Sequence, residues 1–138
     1  MTGTVASTAY LLAMLLDMRL TGNRYDDRIL WGGYLTDDRP LQKTLGTAIH
    51  TSLGIVLAGA YGMAAPFLPK LPGPWRGLLF AEGENTLLFP LVPLMSALHP
   101  EVRRGGLPRL GTVEFFLLEA VRHAIYGLVL GTLWRDRE

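Results

Sequence analysis

Between Lys43 and Lys70 the chain carries no charged residue. A helix over that run exceeds the roughly 20 residues needed to cross a bilayer core. It also lacks the polar stripe at helical spacing by which a soluble helix meets water. This stretch, from about Leu41 to Phe67, is one of four that end at charge clusters; the others are Thr4–Leu16, about Gly77 to Leu98, and Thr112 to Trp134. The last two have spanning length, and the first reaches it by extending to Leu20 or by tilting. The fold this predicts is all-α, an integral membrane four-helix bundle forming one domain over residues 1–138. A soluble all-α bundle with the same boundaries is the competing reading.

Charge supports the first reading. Only 18% of the 138 residues are charged and the net charge is +1, against about 25% charged in ordinary domains. Near-neutrality argues against nucleic acid as a partner, since a binder shows a basic face. The absence of cysteine excludes a disulfide scaffold, a thiol nucleophile and a cysteine-based metal site. No phosphate loop, serine elbow or paired-histidine zinc motif is present, and no cofactor is implied. Met1–Thr8 has no basic region of the kind that opens a signal peptide.

The connections carry the polar residues. Thr21–Pro40 reads as a long polar loop with Asp26–Asp27, Asp37–Asp38 and the aromatics Tyr25, Trp31 and Tyr34, which suit the headgroup level. Four prolines stiffen Pro66–Trp75 into a turn, and Glu101–Leu110 forms the third connection. Loops one and three hold eight Lys/Arg; the other face holds four, Lys70, Arg76, Arg135 and Arg137. The positive-inside rule then puts loops one and three in the cytoplasm and both termini outside, in a multi-pass inner (plasma) membrane protein.

An internal repeat is suggested by His50-Thr-Ser-Leu-Gly-Ile-Val-Leu beside His123-Ala-Ile-Tyr-Gly-Leu-Val-Leu, at an offset of 73 residues. Two parallel helix-pair halves, about 1–70 and 71–138, would follow. Both helices carry small residues every fourth position, Gly46 to Gly62 and Gly127 to Gly131, which allow close backbone approach in lipid. Packing alone accounts for such ladders; self-association as a homo-oligomer, or with other membrane subunits, is the further expectation.

Helix rise puts His50 roughly 14 Å, His123 roughly 16 Å and Asn85 roughly 15 Å into their helices, near the bilayer midplane. Glu119 shares a face with His123 and Glu82 with Asn85, so these five residues read as one polar column. An acid at mid-helix costs about 2.5–3.5 kcal/mol while Leu, Phe or Val returns about 0.3–0.6. The third helix therefore roughly cancels its apolar gain against Glu82 and Glu84, and Pro90 and Pro93 kink it. It needs polar partners. Glu84 projects away from Glu82, toward helix one or the interface, and His99 before Pro100 reads as interfacial.

Local pairing of Glu119 with Arg122 and His123 is one explanation of the cluster; an intramembrane functional site is the other. The functional version makes Glu119, His123, Glu82 and His50 the acid–base groups, with Asn85, Arg122, Glu84 and Tyr126 against the substrate. Metal is not expected, because helical di-iron sites use Glu-x-x-His on two helices whereas Glu119 and His123 are four apart and Gly46 replaces the acid in the other repeat.

The segment Arg122-His-Ala-Ile-Tyr-Gly-Leu-Val-Leu-Gly-Thr-Leu-Trp134 resembles the last helix of the YagU-like small bacterial inner-membrane proteins, and Gly46–Gly62 is similar to their earlier His/Gly helix. The resemblance spans some 35 residues and implies four membrane helices without an assigned reaction. Glu82, Glu84 and Glu119 are not part of the matched pattern. The leading expectation is accordingly an accessory or scaffold subunit. The alternatives are a cofactor-independent intramembrane enzyme (isomerase, cyclase or epoxide-opening) acting on a lipophilic small molecule, and a proton-coupled carrier. An elongated pocket open toward lipid would favour the enzyme.

Overall fold

The computed structural model describes residues 1–134, all of whose regular structure is helical. Arg135 and Arg137, counted above on one face, lie outside the described residues. Each long helix begins or ends where local chemistry dictates. α1 (Thr2–Thr21) stops at Gly22, whose φ of 71° is left-handed and lets its N–H reach Met18 O. α3 (Arg39–Ala64) is capped by Asp38, which accepts from Leu41 N at 2.8 Å, with a proline in its first turn where no donor is lost. α7 (Val113–Leu133) is capped by Thr112, which accepts from Phe115 N at 3.1 Å; it needs no capping-box acid.

Two stretches differ from the expected layout. The polar loop 21–40 contains a one-and-a-half-turn helix, α2 (Asp27–Gly32), capped by Asp26 and packed along α3. The third apolar stretch is not one helix. α4 (Gly73–Leu88) gives way to a 3-10 turn at Phe89–Leu91 and then to α5 (Val92–Leu98), because Pro90 and Pro93 remove ladder donors and crowd the preceding turn. A single turn, α6 (Pro100–Arg103), follows. Among the described residues the long helices α1, α3 and α7 and the shorter α4 stand where the four apolar stretches predict helices, with three short helices between them.

α4 packs along α7, α1 lies against both α7 and α3, and α2 covers α3. The α4–α7 seam depends on glycine: a Cβ at Gly127 would lie 2.5 Å from Gly77 O. The small-residue ladders are used inside the chain in this way, Gly54 against Ser7 of α1 and Gly46 against the Arg28 backbone of α2. α3 and α4 scarcely touch, so the row of helices curls round and leaves a gap between its two ends.

Polarity is distributed inside out. Arg122, His99 and Gln42 are among the most deeply buried side chains, while Leu12, Leu16, Val56, Met63, Leu91 and Leu117 are exposed. His99 is thus buried within the fold rather than exposed at its surface. Its Nε2 lies 2.7 Å from Leu30 O and its Nδ1 accepts from Glu101 N, so it caps α6 and ties it to α2. Glu101, also buried, accepts from Gln42 at 3.0 Å and Arg104 at 2.8 Å, and Arg104 pairs with Asp37 at 2.5 Å. These bonds lock the first and third connections together on one side. Among the described residues one helix, Arg39–Phe67, is long and apolar enough by itself to cross a membrane, against the four spans expected from sequence.

Candidate functional site

The gap between α3 and α4 opens into a cavity of about 460 Å³. Most of its wall is apolar, including Leu30, Trp31, Leu57, Phe89, Val92, Met95 and Phe115. Its rim pairs Leu53 and Val56 of α3 with Leu88 and Leu91 across the gap, all four exposed. Against this background stand Tyr10, Asp27, His50, Glu84, Asn85, Glu119, His123 and Tyr126.

Tyr10 is the centre of the polar group. Its Oη lies 2.5 Å from Asp27 Oδ2 and 2.6 Å from Glu119 Oε2. A hydroxyl has one proton and donates to one of these carboxyls. The other contact closes only if that carboxyl donates back, so Asp27, Tyr10 and Glu119 together hold one proton beyond the hydroxyl's own.

Arg122 supports this arrangement from behind. It is fully buried, with Nε and Nη2 on the two oxygens of Asp17 at 2.7 and 2.9 Å, Nη1 on Glu119 Oε1 at 2.8 Å and Nη2 on Tyr25 O at 3.0 Å. Asp27 Oδ1 lies 3.6 Å from Nη1. The guanidinium thus makes four hydrogen bonds, to α1, to α7 and to the residue two before α2, and does not line the cavity, where the expected role placed it against the substrate. A planar five-donor fork suits such multiple gripping; a lysine would not reproduce it.

His50 and His123 flank Tyr10, ring centroids 4.5 Å away for His50 and 5.3 Å for His123. His123 Nδ1 lies 2.8 Å from Glu119 O; a carbonyl only accepts, so that nitrogen bears the proton. Its Nε2 faces Glu84 Oε2 at 3.2 Å, a charge contact without hydrogen-bond alignment. Glu84 thus reaches α7, not helix one or the interface. The His50 ring has no hydrogen-bond partner among the described residues and faces the cavity. Tyr126 donates to Gly54 O at 2.6 Å and joins α7 to α3.

Asn85 lines the cavity, more than nine-tenths buried, and its Nδ2 has no partner among the described residues. Glu82 does not follow it. It is only half-buried, is absent from the cavity wall and so drops out of the expected column. Among the described residues no acid–histidine group is placed to share a metal ion.

Of the residues expected from sequence, Glu119, His123, His50, Asn85, Glu84 and Tyr126 are brought together round the cavity, Arg122 stands behind them and Glu82 stands apart. Sequence reasoning missed Tyr10, Asp17 and Asp27. One signal was available: Tyr10 and Asp17 are seven apart and share a helix face, in a stretch otherwise read as apolar. No family model, curated protein or solved structure matches the chain.

Proposed function

We propose that the chain is a multi-pass membrane protein whose cavity is the active site of a cofactor-independent acid–base enzyme acting on a lipophilic substrate. The observation that carries this reading is the Asp27–Tyr10–Glu119 chain, a held proton at the wall of an otherwise apolar cavity. Structural pairing explains Arg122, Asp17 and Glu119. It does not explain why the proton-bearing side opens on a cavity, or why His50 and Asn85 are left there unpartnered. Exposed Leu12, Val56, Leu91 and Leu117 round a buried charge network support membrane embedding, since apolar surface of that extent on a soluble monomer is costly. The inner-membrane location, cytoplasmic loops one and three, the half-chain repeat and the YagU-like kinship belong to the same proposal.

The chemistry needs no external reactant. In an epoxide isomerisation, the shared proton passes to the epoxide oxygen as a C–O bond breaks. His50 takes a proton from the adjacent carbon, and the C–H electron pair becomes a C=C bond. An allylic alcohol of the same composition leaves, and the proton returns from His50 to the neighbouring Tyr10 cluster. Enolisation of a ketone uses the same two groups. Exclusion of water by the apolar wall strengthens each hydrogen bond in the site.

The test is to hold the protein in phosphatidylcholine nanodiscs in heavy water with tetradecan-2-one, and separately with 1,2-epoxytetradecane. Deuterium uptake beside the ketone or formation of tetradecenol, lost in Tyr10→Phe and His50→Ala, is the expected result. Neither reaction above the protein-free rate, with both probes bound, would overturn the enzyme reading in favour of an accessory subunit. A proton-coupled carrier would instead give solute-driven proton flux in proteoliposomes.

A further inference from the structure

We propose that the cavity takes an uncharged lipophile ending in one acceptor oxygen, a ketone, epoxide or ether, and that Asn85 holds this oxygen. The proposal rests on the acid–base reading of the same site and names its substrate class. Three independent features of the cavity agree on it.

The first is the Asn85 amide. Asn85 lines the cavity, and its Nδ2 is buried and donates to nothing among the described residues. Buried donors in native proteins are almost always satisfied, and an amide N–H is satisfied only by an acceptor. A hydrocarbon supplies none, and neither does an alkylammonium.

The second is charge. The cavity wall contains Asp27, Glu84 and Glu119 but no lysine or arginine among the described residues. The guanidinium behind it, Arg122, is fully buried and engaged with Asp17, Glu119 and Tyr25 O. His123 is held between Glu84 and Glu119 O. A fatty acid or a prenyl diphosphate would bring a further anion to three carboxyl groups, with no lysine or arginine in that wall to receive it. The carboxyl groups of the wall disfavour lipid anions by repulsion.

The third is shape and access. At ~30 Å³ per water-sized group, the volume of liquid water, the cavity of about 460 Å³ holds about fifteen such groups. The rim of Leu53, Val56, Leu88 and Leu91 admits an apolar chain sideways from between α3 and α4. Asn85 and Tyr10 both line this cavity, which therefore offers an oxygen a donor and an acid.

The experiment measures binding, not turnover. Trp31 lines the cavity, so a variant carrying Trp75→Phe and Trp134→Phe reports occupancy by Trp31 fluorescence in nanodiscs. The probes are tetradecan-2-one, tetradecane, tetradecanesulfonate and tetradecylammonium, each corrected for partition into empty nanodiscs. The ketone is expected to bind at least tenfold more tightly than the other three. Asn85→Leu should bring it to the level of tetradecane, about tenfold weaker, with tetradecane unchanged. Asn85→Asp, which replaces the donor by an acceptor, should do the same and guards against misfolding of either variant, with thermal unfolding as the control. Equal or tighter binding of the sulfonate or ammonium probe, or a ketone affinity indifferent to both substitutions, overturns the proposal. Ketone selectivity without deuterium uptake would leave the ligand class standing and remove the enzyme; uptake with sulfonate preference would do the reverse. Absence of binding by all four removes both.

Discussion

Tyr10 and Glu119 stand 109 residues apart in the chain and 2.6 Å apart in space, and the hydroxyl that joins them also touches Asp27. Proton counting at this bridge leads to a spectroscopic expectation. Infrared spectra near neutral pH should contain the carbonyl stretch of a protonated, buried carboxyl. Glu119→Gln and Asp27→Asn should each shift or remove it, and the double variant should abolish it. A spectrum with only ionised carboxylates would contradict the shared proton.

Removing the hydroxyl alone separates chemistry from packing. Tyr10→Phe keeps the ring against His50 and His123 but breaks the proton chain. Turnover in the heavy-water assay should fall by about 10²–10⁴-fold, the range typical of a lost general acid, with little change in melting temperature. A variant that exchanges at the parent rate would place the acid elsewhere.

Arg122 should matter more for stability than any other polar residue. Arg122→Met strands Asp17, Glu119 and Asp27 without their cation, and breaking a buried pair from one side costs about 3–5 kcal/mol. Arg122→Lys retains charge and loses the fork, so it should fall between the two. Thermal unfolding in mild detergent reads both; an Arg122→Met protein as stable as the parent would mean that the network contributes nothing net.

The glycines divide into two classes by what surrounds them. Gly77→Val and Gly127→Val drive side chains into facing backbone and should disrupt the α4–α7 seam. At Gly59 and Gly83 an added methyl group would meet nothing within 4 Å, and Gly→Ala there should raise stability by up to about 1 kcal/mol through helix propensity. Melting temperatures of the four variants check the contrast.

Topology is open to a direct assay because the chain has no cysteine. Single cysteines at Asp37 and Arg104, which pair at 2.5 Å, should label from the cytoplasmic side of the membrane, and one at Lys70 from the opposite side. Labelling of all three from one side would sink the multi-pass arrangement.

The ends of the long helices are legible because charge clusters, glycines and prolines mark them, and the shared depth of His50 and His123 is legible because it rests on helix rise alone. What the sequence conceals has a common physical cause. Asp17 and Asp27 belong to a residue type that faces water in most chains; Asp27 is buried by α2 folding back along α3, and Asp17 is engaged only when Arg122 of α7 packs against α1, tertiary events with little local signal. The role of His99 is hidden for the same reason: its partner is a backbone carbonyl of α2, which carries no sequence signature. Glu82 departs from the column because α4 turns it out of the gap once the Gly73, Gly77, Gly127 and Gly131 contacts fix the helix rotation.

The order of residues in the Arg122 network also has a consequence for biosynthesis. A ribosome makes Asp17 and Asp27 long before it makes Arg122, so a nascent chain with its first three helices complete holds acids whose cation has not yet been translated. A chain truncated before Arg122 is therefore left with Asp17 and Asp27 lacking the guanidinium that faces them in the complete fold.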